Sequence, residues 1–91
     1  MLKYLVEFVG TFFFLSVILN YANAGVYNAF PIGIALIAAI LFGGSISGGH
    51  FNPAVSVMMV ANKSMPLLEA MFYIFAQVLG GLAAVVFRGL K

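Results

Sequence analysis

The chain has 91 residues, 65% of them hydrophobic and only 7% charged, with a mean hydropathy of +1.19. A soluble domain of this size leaves too much of its surface exposed to hide that much apolar side chain, so lipid is the expected solvent. The net charge of +2 argues for no nucleic-acid face, the lack of cysteine removes disulfides and thiolate metal sites, and a single histidine with two acids leaves little for acid–base catalysis.

From about residue 5 to 21 the chain is apolar enough for a first spanning helix, with Lys3 ahead of it and Glu7 as an acid inside. A secretory signal with Ala22-Asn23-Ala24 as its cleavage site is the competing reading, but Glu7 and Gly10 fit a signal core badly. The Asn-, Gly- and Tyr-containing stretch from Tyr21 to Asn28 reads as an interfacial loop. A second span is expected over about 29–44, with Pro31 in its first turn and Gly33, Ala35, Ala38 and Ala39 allowing close helix approach. Gly43-Gly44-Ser45 reads as its end.

Residues 45–52 then form the most polar and Gly-rich part of the chain, ending at Asn52-Pro53-Ala54. Asn is a preferred helix cap, and Pro at the first helical position loses no hydrogen bond. A helix over about 53–62 spans roughly 13–15 Å, half or less of a ~30 Å hydrocarbon core. Irregular backbone joined to such a half helix is tolerated at membrane depth only where protein covers it or a wet pathway runs past it. Asn62-Lys63-Ser64 returns to water, with Ser64 placed to cap the next helix and Pro66 in its first turn. About residues 67–87 make a third span, carrying Gln77 and the small residues Ala76, Gly80, Gly81 and Ala84. The expected fold is an all-α membrane protein: three transmembrane helices plus one re-entrant half helix.

Ser47 to Ser56 (SGGHFNPAVS), Glu7 to Thr11 (EFVGT) and Ala76 to Gly81 (AQVLGG), in this order, resemble one repeat of the aquaporin or major intrinsic protein family. The resemblance covers essentially the whole chain but one of the two inverted repeats usual in the family. It implies a passive channel for water or small neutral solutes, with no cofactor and no metal. Asn52, Pro53 and Ala54 would be the pore motif, with Asn52 capping the half helix and donating to passing water. The carbonyls of Gly48, Gly49, His50 and Phe51 would form an acceptor ladder along the pore. Glu7 and Gln77 would brace the loop from behind. Counting from Asn52, the family's constriction falls on Ile32, Ile40, Gly49 and Val55, with Val55 where an arginine is usual. An apolar constriction without a fixed cation is implied, open to glycerol, urea or ammonia, or else prone to dewetting.

One repeat does not close such a pore. Two copies inserted in opposite directions about an in-plane axis would do so, as would a complementary aquaporin half on another chain. Lys3 and Lys63 fall on one side of three spans, and Arg88 and Lys91 on the other, a balance that permits both orientations. A holin-like lesion former or a structural membrane subunit is the reading from another class, and neither needs the Asn-Pro-Ala loop.

Overall fold

The computed structural model describes residues 1–21 and 25–90, so Ala22-Asn23-Ala24 and Lys91 lie outside the described residues. Four α-helices follow in order: α1 (Leu2–Tyr21), α2 (Ala29–Ser47), α3 (Pro53–Ala61) and α4 (Leu67–Gly89), with a 3-10 turn at Gly25–Asn28 leading into α2. Helices α1, α2 and α4 are each long and apolar enough to cross a membrane; α3, with nine residues, is not.

Helix α1 packs against both α2 and α4, while α3 lies on α4. It starts at Leu2, earlier than its hydropathy indicates, because its first turn is fastened to α4. Lys3 Nζ bridges to Glu69 Oε1 at 2.7 Å, and the Tyr4 ring rests on Phe72 and Tyr73 with centroids 5.4 and 5.7 Å away. Close approach of α1 and α4 depends on Gly80, where an added Cβ would stand 2.7 Å from the carbonyl oxygen of Phe8. The outer faces stay apolar and exposed, as lipid contact requires; Leu41 (81% exposed), Phe30 and Phe75 lie there.

Two further features differ from expectation. Helix α2 does not end at Gly43-Gly44-Ser45 but continues to Ser47, and the irregular segment shrinks to residues 48–52. Gly43 is a packing glycine: a Cβ there would run into the Val6 side chain of α1. The true stop is Gly48, in the left-handed region at φ 90°, whose N–H closes the helix on the carbonyl of Gly44. Ser64 does not cap α4 either. Its hydroxyl accepts from Asn62 Nδ2 at 3.0 Å and its backbone N–H donates to the Met59 carbonyl, while Pro66 stands at the cap position.

Candidate functional site

The site forms where α2 stops. Gly48 and Gly49 both adopt positive φ (90° and 64°), and Phe51 follows at φ 51°, turning the chain back between α1 and α4. An aromatic residue in the left-handed region costs about 1–2 kcal/mol. Burial of the Phe51 side chain, worth about 1.5–3 kcal/mol, offsets that cost. Phe51 is 2% exposed and packs with Val6 and Ala39, and Gly10 leaves room for its ring: a Cβ at Gly10 would run into the ring edge at Cε1.

Glu7, fully buried, organises the loop. Its Oε2 accepts from Ser47 Oγ at 2.8 Å and His50 N at 3.0 Å; its Oε1 accepts from Phe51 N at 2.9 Å and Gln77 Nε2 at 2.8 Å. The charge-assisted bonds from four separate donors offset the cost of placing a carboxylate among apolar helices. Gln77 Nε2 also reaches Ser56 Oγ at 3.0 Å, and Ser56 Oγ lies 2.8 Å from His50 Nδ1. Tyr73 donates to the Ser47 carbonyl at 2.7 Å and stacks its ring 4.8 Å from that of His50. All four α-helices thereby meet at one loop. Ser47 and Ser56 entered the sequence reading only as the ends of the motif, without a role, and Tyr73 not at all; the signal that marks all three is a polar atom on an otherwise apolar helix.

The inward turn of the loop amides fixes where its carbonyls go. Gly49 N bonds Ser47 Oγ at 3.1 Å, and His50 N and Phe51 N bond Glu7. No cis peptide occurs among the described residues, so each preceding C=O points opposite to its N–H partner across the peptide plane. The carbonyls of Gly48, Gly49 and His50 therefore face away from the buried network, as an acceptor ladder needs; no such constraint fixes that of Phe51.

Asn52 begins α3. Its Oδ1 accepts from Ala54 N at 2.8 Å, and its carbonyl accepts from Val55 N and Ser56 N. Asn52, Pro53 and Ala54 are exposed. The dipole of α3 presents its positive end at Asn52. Of the four positions expected at a constriction, the structure brings two together: Ile40 Cγ1 lies 3.4 Å from where a Gly49 Cβ would stand. Val55 sits half-buried in the first turn of α3. Ile32 is two turns back along α2, about 12 Å from Ile40, and does not converge with the others within one copy.

Among the described residues no group of three or more His, Asp or Glu side chains is placed to hold a metal ion. The family model described as Major intrinsic protein matches residues 1–90. The chain is 42% identical to glycerol uptake facilitator protein-like 6 of Lactiplantibacillus plantarum, over 92% of this chain and 41% of that protein. It is 39% identical to aquaporin Z of Rhodopseudomonas palustris, over 90% and 38% respectively. With nodulin-26 of Glycine max the identity is 35%, over 90% and 34%. No solved structure matches significantly. The chain thus spans about two fifths or less of the length of these curated relatives. With three spans and a match over nearly its full length, this integral, multi-pass membrane chain belongs to the major intrinsic protein family.

Proposed function

We propose that the chain forms a passive transmembrane channel for water and small neutral solutes, built from two copies inserted in opposite directions. The observation that carries this reading is the exposed Asn52 end of a half-length helix, locked in place by Glu7. The cap uses Asn52 Oδ1, which leaves the amide hydrogens for a passing solute, while the carbonyls of Gly48, Gly49 and His50 accept along its path. The positive helix end repels cations and protons and lets neutral molecules pass. A partner in opposite orientation adds a second such end. Ile40, Gly49 and Val55 of one copy would meet Ile32 of the other in an apolar constriction at each mouth. That lining, without a fixed cation, fits solutes of the size of glycerol, urea or ammonia as well as water.

The purified chain in liposomes tests this directly. Osmotic shrinkage in sucrose faster than in empty vesicles, without leakage of a large dye, is the expected result. Volume recovery in glycerol is expected to follow. Asn52→Asp should change the selectivity of a channel and leave a holin-like lesion unaffected. Flux no faster than in empty vesicles, with the protein inserted and helical, overturns the self-sufficient pair. A chain carrying a complementary repeat then becomes the required partner.

A further inference from the structure

The His50 ring is nearly enclosed, with the residue 9% exposed, the ring stacked on Tyr73 and Nδ1 2.8 Å from Ser56 Oγ. Its other nitrogen is treated differently. Nε2 bonds no described residue and keeps access to open space beside the exposed Gly48, 3.4 Å from where a Cβ of Gly48 would stand. A polar atom on a buried ring is thus left open next to the segment whose carbonyls turn away from the network. Whether that atom donates or accepts depends on the tautomer, which the neighbouring hydrogen bonds decide.

Glu7, as a carboxylate, only accepts, and this orients the Gln77 amide. The amide nitrogen reaches Glu7 Oε1 at 2.8 Å and Ser56 Oγ at 3.0 Å, which uses both of its hydrogens, and Gln77 Oε1 is left buried without a partner. The reverse orientation would set an amide oxygen 2.8 Å from a carboxylate oxygen with no hydrogen between them. Ser56 Oγ therefore accepts from Gln77. Its single hydrogen then has one acceptor within reach among the described residues, His50 Nδ1. A neutral imidazole that accepts at Nδ1 carries its hydrogen on Nε2. Glu7 thus holds His50 twice, directly at the backbone N–H and, through Gln77 and Ser56, at the ring.

We propose that Gln77 and Ser56 are positioning residues that fix His50 in its Nε2–H form, and that this N–H is a solute-binding donor beside the carbonyls of Gly48, Gly49 and His50. The relay stands on the hydrogen-bond geometry alone; the solute contact rests on the channel reading. Asn52 offers its amide hydrogens at the other end of the same segment, so the row of acceptors has a donor at each end. Water, or a hydroxyl of a polyol, both donates and accepts and so meets a partner for each function there. Ammonium, which only donates, finds N–H facing N–H at both ends.

Because the chain has a single histidine, nitrogen NMR of the histidine-labelled protein in bilayers reads the relay without overlap. At about pH 8, where imidazole is neutral, the expected result is a hydrogen on Nε2 and a bare Nδ1. Ser56→Ala removes the hydroxyl, and Gln77→Leu removes the N–H that orients it; both leave space rather than fill it. Each is expected to bring in the Nδ1–H form, whereas Ser56→Thr keeps a hydroxyl and is expected to retain Nε2–H. An Nδ1–H parent, or the same tautomer in the parent, Ser56→Ala and Gln77→Leu, overturns the relay. Magnetisation transfer from water to Nε2–H tests the contact without any flux, and a dry Nε2–H overturns it. In vesicles, glycerol permeability should fall several-fold in Ser56→Ala and recover in Ser56→Thr. A conducting parent whose glycerol permeability is untouched by a shifted tautomer overturns the solute contact and leaves the channel standing. A parent that conducts nothing, yet shows a wet Nε2–H, removes the channel and keeps His50 as a water-binding donor.

Discussion

From Gln77 toward the Lys3 end, the face shared by α1 and α4 holds α3 and its loop, with Ser47, His50, Ser56 and Tyr73 joined to Glu7 and Gln77 by hydrogen bonds. From Gln77 toward the Arg88 end, the same two helices line an open apolar groove whose polar atoms at the floor are unpaired. The helices are continuous through both regions, so the difference comes from what they enclose. One half is a finished binding site for a half helix supplied by its own chain. The other is an open apolar groove that no described residue of the chain fills. The lesson is that polar satisfaction, scarce in lipid, is concentrated on one re-entrant segment.

The largest break in this comparison is Glu7→Leu. It removes the acceptor for Ser47 Oγ, His50 N, Phe51 N and Gln77 Nε2 together. The Ser47 hydroxyl retains the Gly43 carbonyl at 3.3 Å, but each of the other three donors left unsatisfied costs about 1–3 kcal/mol, so the filled half should lose at least about 3 kcal/mol and the loop should detach. Thermal unfolding in mild detergent reads the loss. A Glu7→Leu variant as stable as the parent would mean that packing, not the carboxylate, holds the loop.

Gly10→Ala strikes the same loop through volume. The new Cβ meets the Phe51 ring, and overpacking of this kind costs about 1–3 kcal/mol. Combining it with Phe51→Leu should cost less than the sum of the two, because the smaller side chain yields the space. Full additivity in a double-mutant cycle would show that the two residues do not share that contact.

How far each half was legible from sequence follows from the same physics. Asn52-Pro53 announces the start of α3 by local chemistry alone, and Glu7 stands out as an acid in an apolar helix. The end of α2 was misread because Gly43-Gly44 resembles a stop signal, whereas Gly43 serves contact with Val6 across to α1. A glycine that ends a helix and one that admits a neighbour look identical until the neighbour is placed. The orphaned groups were hidden for a similar reason. Thr11 follows Glu7 by one helical turn, so a shared face was readable, but its lack of a partner is a fact of three-dimensional packing.

Asn52 separates folding from conduction. Asn52→Ala removes the cap oxygen and should cost about 1 kcal/mol in stability, together with a loss of water flux. Asn52→Asp keeps a cap acceptor, so its melting temperature should stay near the parent's while its solute selectivity changes. Equal selectivity in the Asp variant and the parent would reduce Asn52 to a cap.

The smallest expected change in stability has the widest consequence for assembly. Lys3 bridges Glu69 with both side chains about a third exposed, so solvent screens the pair and it adds little to stability. Its contact with Glu69 places the starts of α1 and α4 at one end of the molecule, with Lys63 in the connection just before α4. Arg88 lies in the last turn of α4 and Lys91 follows it in sequence. Lys3→Met therefore shifts the balance of cations from two against two to one against two, and the more basic end is retained on the cytoplasmic side. Labelling of single cysteines at either terminus should show a mixed population becoming predominantly one orientation, with melting nearly unchanged. Because an inverted pair needs both orientations, flux per molecule should fall along with the minority. Undiminished flux from a population of one orientation would mean that the two copies do not pair head to tail across the membrane, and the open half would then need a different chain.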